Sequence, residues 1–225
     1  MSCAMRRHDL AHVREGVAVR FLCGTLDGSL SARVGEWITA GRPLVVARQP
    51  TYGTEVLLGL TLPAAEARRR VACLIKRGDL LQVHRPLTIA DCLHYLPDKV
   101  AAPLATLASS LAAVGVRVGV YGSLAWEALS GDRYRHPDSD VDLICDVASV
   151  AETDACLRLL AAATGMPCPV DGEVRFPDGC AVAWRELAAA WGKTNARVLV
   201  KGEANAGLLP LSVIVEQFNK AVLHG

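Results

Sequence analysis

With 225 residues the chain can bury a sizeable core, as one large domain or two small ones. Its 52% hydrophobic and 21% charged residues describe a folded globular protein and exclude a disordered one. A formal net charge of +1 argues against bulk nucleic-acid binding as its main business.

The charge is unevenly spread. Residues 1–100 carry 14 Lys and Arg against 9 Asp and Glu, and residues 101–225 carry 10 against 14. A basic front half facing an anionic partner is one reading, and scatter of surface charge is the other. The 8 cysteines (Cys3, Cys23, Cys73, Cys92, Cys145, Cys156, Cys168 and Cys180) include no Cys-x-x-Cys and no zinc-finger spacing to histidine. Most sit among apolar neighbours, where a thiol acts as a small hydrophobe, and this fits a reducing, cytoplasmic setting. "MSCAMRRHDL" has no apolar core of the kind a signal peptide needs. The longest apolar stretch, Ala101 to Val116, is too short and too alanine-rich to span a membrane.

In chain order, residues 1–97 read as a mixed α/β module. "GRPLVVARQP", Gly41 to Pro50, is a short β-branched strand, and "EVLLGLTLP", Glu55 to Pro63, is a second. "AAEARRRVACLIK", Ala64 to Lys76, predicts a helix opened by Pro63 and stopped by Gly78. That helix and its end would carry the densest basic cluster, Arg68, Arg69, Arg70, Lys76 and Arg77. "PLTIADCLHYLP", Pro86 to Pro97, is a short helix between prolines, and the boundary is placed at Pro97 to Pro103.

Residues 98–225 form the second module. A helix over Ala102 to Gly115 ends on a glycine. "VRVGVYG", Val116 to Gly122, alternates as a strand, and "SLAWEALSG", Ser123 to Gly131, has helical spacing. After a polar loop, "DVDLICDV", Asp140 to Val147, is a strand, and Val150 to Gly165 is a helix. "PVDGEVRF" and "CAVAWREL" flank Pro177-Asp178-Gly179 as a hairpin, and Leu211 to Leu223 is a final helix.

The chemistry is concentrated between Gly122 and Asp142. Residues two apart on a strand share a face, so Asp140 and Asp142 project side by side. Two adjacent carboxylates repel unless a cation lies between them. Mg²⁺ accepts a few carboxylates and then substrate phosphate oxygens, and two such ions can clamp the attacking and leaving oxygens at phosphorus. Gly122 would let a phosphate approach the backbone, and Ser123 adds a hydroxyl to the unpaired N–H groups of a helix start. Strand, Gly-Ser, helix, loop and Asp-x-Asp strand, with 17 positions from Ser123 to Asp140, resemble the polymerase-β type of nucleotidyltransferase fold.

That fold adds a third carboxylate from a later strand. On "PVDGEVRF", Asp171, Glu173 and Arg175 share a face. Glu173 is chosen because it lies inside the run, and Asp171 beside Gly172 also reads as a turn residue. Arg133, Arg135, Lys193, Arg197 and Lys201 are the cations offered to a polyphosphate, each with solvated surface charge as its plain alternative. His136 reads as a surface loop residue, and Trp126, Trp184 and Trp191 as core or groove lining.

A closer resemblance covers nearly the whole chain. "RRHDLAHV", "GRPLVVAR", "LGLTLP", "YGSLAWEALSG", "HPDSDVDLICD", "DGEVRFPDGCAVAWREL" and "VLVK" are similar, in order, to the phosphoribosyl-dephospho-CoA transferases of malonate decarboxylase, the holo-acyl-carrier-protein synthases. The resemblance implies transfer from 2′-(5″-triphosphoribosyl)-3′-dephospho-CoA to a serine of the apo acyl carrier subunit, with release of pyrophosphate. The site itself puts Mg²⁺ on Asp140, Asp142 and Glu173, with Glu173 also assisting proton removal and phosphate held by Gly122, Ser123 and nearby cations. Another Mg²⁺-dependent nucleotidyltransferase that adenylylates a small molecule or protein keeps the same metal argument. A non-catalytic module that holds a cation or a partner is the reading of a different class.

Overall fold

The computed structural model describes residues 5–22, 28–49 and 53–222, so Cys3, Cys23 and the ends of two predicted elements, Pro50 and Leu223, lie outside the described residues. The chain divides into two compact units, Met1–Pro86 with Leu129–Tyr134, and Leu87–Ala128 with Arg135–Gly225. Each is built round its own six-stranded sheet with helices, which is the α+β class expected.

The first unit contains β1 (Leu10–Val13), β2 (Arg20–Phe21), α1 (Gly28–Thr39), β3 (Leu44–Val46), β4 (Glu55–Thr61), β5 (Arg70–Lys76) and β6 (Leu80–His84). Its sheet is antiparallel, in the order β2-β5-β4-β3-β1-β6. Helix α1 buries Leu30, Val34, Trp37 and Ile38, one stripe at helical spacing that the strand-centred reading of this region passed over. On β4, Val56, Leu58 and Leu60 are buried and the residues between them are not, as a one-sided strand requires.

The helix expected over Ala64 to Lys76 does not form. A single 3-10 turn, Ala64–Glu66, is followed by left-handed Ala67 and Arg68 (φ 57° and 49°), and then by β5. Ala, Glu and Arg favour a helix, but "VACLIK" pairs along all of β4, from Glu55↔Lys76 to Thr61↔Arg70. That ladder satisfies the facing edges of both strands, and tertiary pairing overrides local propensity. The basic cluster is thereby split. Arg68, Arg69 and Arg70 stand at one end of β5 and Lys76 and Arg77 at the other, about 20 Å away at strand rise.

The segment Leu129–Tyr134 belongs to the first unit through specific bonds. The Tyr134 hydroxyl donates to the Thr61 carbonyl at 3.1 Å, the Ala64 N–H donates to the Arg133 carbonyl at 2.9 Å, and Arg42 donates to the Ser130 carbonyl at 3.0 Å.

The second unit runs α2 (Ile89–Cys92), α3 (Asp98–Ala113), β7 (Arg117–Tyr121), α4 (Gly122–Ser130), β8 (Val141–Asp146), α5 (Val150–Ala162), β9 (Val170–Arg175), β10 (Ala181–Ala183), α6 (Trp184–Ala190), β11 (Arg197–Lys201), β12 (Ala206–Pro210) and α7 (Leu211–Val222). Sheet order is β12-β11-β10-β9-β8-β7. Only β8 and β9 are parallel among the described pairs, joined by the crossover helix α5. The expected hairpin forms at β9–β10, but its second arm turns helical at Trp184.

The boundary falls after Pro86, ahead of the expected Pro97. Ile89, Cys92, Leu96 and Val100 are buried in the core of the second unit, and Leu87 bridges to Val120 on β7. The same core takes Leu104, Leu107 and Leu111 from α3, Cys156, Leu157 and Leu160 from α5, and Val141, Leu143 and Cys145 from β8. These are the alternate positions of β8, so Asp142 points to the opposite face.

Candidate active site

Strand β7 passes into α4 with no intervening loop. Gly122 makes the turn at φ +72°, a left-handed conformation that costs glycine nothing. Tyr121 lies opposite Asp142 in the β7–β8 ladder. A β-carbon built on Gly122 would lie 2.0 Å from Asp142 Oδ2. The room left by the missing side chain is thus occupied by the Asp142 carboxylate, rather than left for a phosphate. Ser123, half-buried, follows at the first turn of α4, where the backbone N–H groups have no partner within the helix.

The next strand brings the third carboxylate. In the parallel β8–β9 pair Asp142 stands beside Asp171 and Leu143 beside Gly172. A β-carbon on Gly172, at φ +130°, would lie 1.9 Å from the Leu143 carbonyl oxygen. Gly172 therefore serves close approach of two strands, not the turn suspected from the sequence. The Val141 N–H donates to the Pro169 carbonyl at 2.9 Å and latches the start of β8, with Asp140 just before it. One carboxylate oxygen from each of Asp140, Asp142 and Asp171 lies within 4.8 Å of the others, and all three residues are half-buried. Three like charges this close repel, and an all-oxygen acidic donor set suits a hard divalent cation.

Glu173 is not in that cluster. It is 4% exposed, and its Oε1 accepts from Lys201 Nζ at 2.8 Å. Two residues further along, Arg175 (1% exposed) makes paired bonds to Asp146 at 2.6 and 3.0 Å. The face of β9 therefore runs from a half-exposed carboxylate, Asp171, to two charged residues, Glu173 and Arg175, that are buried and paired. A carboxylate so deeply buried needs a countercharge, and Lys201 supplies it to Glu173.

The comparisons with known proteins agree along most of the chain. The model of the phosphoribosyl-dephospho-CoA transferase MdcG N-terminal domain matches residues 6–86, and that of the MdcG C-terminal domain matches residues 87–211. The chain belongs to the phosphoribosyl-dephospho-CoA transferase family. A phosphoribosyl-dephospho-CoA transferase of Xanthomonas axonopodis pv. citri is 33% identical over 92% of this chain and 95% of its own length. One from Xanthomonas campestris pv. campestris is 33% identical over 81% and 85%, and one from Pseudomonas aeruginosa 32% over 80% and 86%. No solved structure matches.

In this transferase family member the two family models meet where the two units divide, after Pro86. Every cluster residue falls in the C-terminal domain. Of the cations offered from the sequence, Arg135 is committed elsewhere. Its backbone N–H and Nε each donate to Glu127 at 2.7 Å, and Nη2 donates to the Tyr95 carbonyl. Lys201 is held by Glu173, and Arg133 belongs to the first unit. Lys193 is exposed in the turn after α6, and Arg197 donates to the Leu208 carbonyl at 2.7 Å. His136 forms a polar turn with Ser139, the His136 N–H donating to Ser139 Oγ at 2.8 Å.

A cation that sequence reasoning missed does reach the cluster. Arg185 Nε lies 3.8 Å from Asp171 Oδ1. The only sequence signal was its place in "AWREL", beside a tryptophan, and there the expected strand hid it.

Four of the described thiols are held towards their neutral form. Burial pushes Cys92 and Cys180 up to about 12, and raises Cys168 as well. Cys145 is raised by its bond to Cys156 and then by complete burial. Among the described residues no helix is long and apolar enough to cross a membrane.

Proposed function

We propose that this chain transfers the phosphoribosyl-dephospho-CoA group from 2′-(5″-triphosphoribosyl)-3′-dephospho-CoA to a serine of the apo acyl carrier subunit of malonate decarboxylase, releasing pyrophosphate, in the cytoplasm. The observation that carries the reading is the convergence of Asp140, Asp142 and Asp171 beside the start of α4. Acidic ligands for a cation beside the N–H groups of a helix start suit attack at an α-phosphorus. The nucleotidyltransferase fold of polymerase-β type is part of the same proposal, supported by the β7–α4–β8–α5–β9 order and by the carboxylates on β8 and β9.

Asp140, Asp142 and Asp171 would hold Mg²⁺, and their fit rests on three acidic oxygens within 4.8 Å of one another. When bound, Mg²⁺ supplies charge neutralisation at the phosphates and lowers the pKa of the attacking hydroxyl. The chain's own residues do the rest. Gly122 lets Asp142 lie against the backbone, which fixes that carboxylate in one place. Ser123 and the first N–H groups of α4 bind phosphate oxygens and orient the chain for in-line displacement. The serine oxygen bonds to the α-phosphorus as the bond to the pyrophosphate oxygen breaks. The serine proton passes to a carboxylate oxygen of the cluster and on to solvent. Glu173, buried against Lys201, positions β9 rather than taking that proton.

The test is direct. The protein, Mg²⁺ and the apo carrier subunit are mixed with the triphosphoribosyl donor or, separately, with ATP, and the carrier is weighed by intact mass spectrometry. A gain of one phosphoribosyl-dephospho-CoA, with one pyrophosphate released per carrier, is expected. An adenylyl group gained from ATP instead would move the chain to another donor, and no gain from either would overturn the reading.

A further inference from the structure

Arg185 stands second on α6 and is held at three points. Its guanidinium carbon lies 4.4 Å from the centre of the Trp184 ring. Its Nη2 donates to the Val170 carbonyl at 3.0 Å, the same oxygen that accepts from the Trp184 indole N–H at 3.2 Å. Its Nε faces Asp171 Oδ1 at 3.8 Å, longer than a hydrogen bond. Trp184 is 4% exposed, so the platform is rigid, while the Arg185 side chain remains 51% exposed.

This arrangement is more than fold stability asks for. An ion pair this exposed contributes about 0–1 kcal/mol. The neighbouring Arg135, Arg175 and Lys201 are each closed off by Glu127, Asp146 and Glu173, outside the cluster. Arg185 instead meets a cluster carboxylate, and its described contacts use one of five N–H donors. A guanidinium stacked on an indole and tethered by a carbonyl loses little freedom when it takes a phosphate. Arginine is also the residue suited to bidentate recognition of phosphate.

We infer that Arg185 binds the phosphate chain of the donor, on the oxygens that become the leaving pyrophosphate. The inference rests on the reading of the site as a phosphoryl-transfer centre. Asp171 and a phosphate compete for the one guanidinium. When the charge of Asp171 is neutralised by a cation, the pull on Arg185 falls and the phosphate takes it. Arg185 is then placed where negative charge accumulates as the bond breaks.

The experiment uses inorganic pyrophosphate as probe, titrated calorimetrically into wild type, Arg185→Gln and Arg185→Lys, with and without Mg²⁺. With Mg²⁺, Arg185→Gln should raise the pyrophosphate Kd about 10- to 100-fold, and Arg185→Lys should recover part of it. In turnover, KM for the donor should rise with it while KM for the carrier stays put. Without Mg²⁺, Asp171→Asn should bind pyrophosphate more tightly than wild type, and adding Arg185→Gln should cancel most of that gain. Unchanged pyrophosphate affinity in an Arg185→Gln protein that melts as wild type does would overturn the inference and leave the transferase reading standing. A wild type that neither binds pyrophosphate nor modifies any carrier would overturn both.

Discussion

Asp142 lays its carboxylate directly over the Cα of Gly122, so close that a β-carbon there would sit 2.0 Å from Oδ2. One residue makes the strand-to-helix turn and the other lines the site. Each requires the other, because the turn needs a positive φ and the carboxylate needs the empty space.

Gly122→Ala should therefore damage both at once. The left-handed backbone costs a non-glycine residue roughly 1 kcal/mol, and the displaced carboxylate adds to it. We expect a stability loss of about 1–3 kcal/mol in urea denaturation. Transfer should fall by more than about a hundredfold, since misplacement of a site group by an ångström has that effect. Near-normal turnover would mean that Asp142 can move without consequence.

Asp171 and Glu173 share a face of β9 and should answer differently to amide substitution. Asp171→Asn removes one of three repelling charges, so the protein should be no less stable. It should lose transfer by about a thousandfold, several kcal/mol of charge stabilisation at the phosphates. The rise in Tm on adding Mg²⁺ should shrink with it. Glu173→Gln should do the reverse: destabilisation of about 1–3 kcal/mol, because Lys201 is left half-buried without its charge partner, with turnover largely kept. An inactive, stable Glu173→Gln would return Glu173 to the centre.

The pair of Arg175 and Asp146 is structural. Arg175 is 1% exposed and bidentate on Asp146, so Asp146→Asn leaves a buried guanidinium without its countercharge. The expected cost is about 3 kcal/mol in chemical denaturation, with kcat of the surviving folded enzyme close to wild type. A cost below about 0.5 kcal/mol, the range of ordinary surface substitutions, would show that water reaches the pair.

Cys180 should resist alkylation although it is only half-buried. Desolvation first, then the bond to Asp178, raises its thiol to about 12. The thiolate is the reactive form, so at pH 8 its fraction is about a thousandfold below that of a free cysteine. Peptide mapping after iodoacetamide treatment should show slow modification that accelerates steadily as the pH rises towards 12. Fast modification at pH 8 would place Cys180 in an open environment.

Much of the second unit was legible from local pattern. Alternation along "VRVGVYG" and "DVDLICDV" marked β7 and β8, and the period of two placed Asp142 away from the core without any tertiary knowledge. Gly122-Ser123 marked the turn into α4, because only a glycine makes such a turn cheaply. What remained open was decided by pairing partners far away in sequence. The helix expected at Ala64 to Lys76 became β5 because β4 offered a complete ladder. Glu173 and Asp171 looked alike on one strand face, and Lys201, from β11, closed off the first while Asp142, on β8, drew the second into the cluster. Arg135 and Lys201 read as free cations until burial gave each a carboxylate. Arg185 came to the site only because the chain turns helical after β10. Sequence by itself determined which side chains alternate and where the backbone can turn, since both depend on neighbouring residues. Which charges pair and which stay open depends on contacts across strands, and only the tertiary structure decided it.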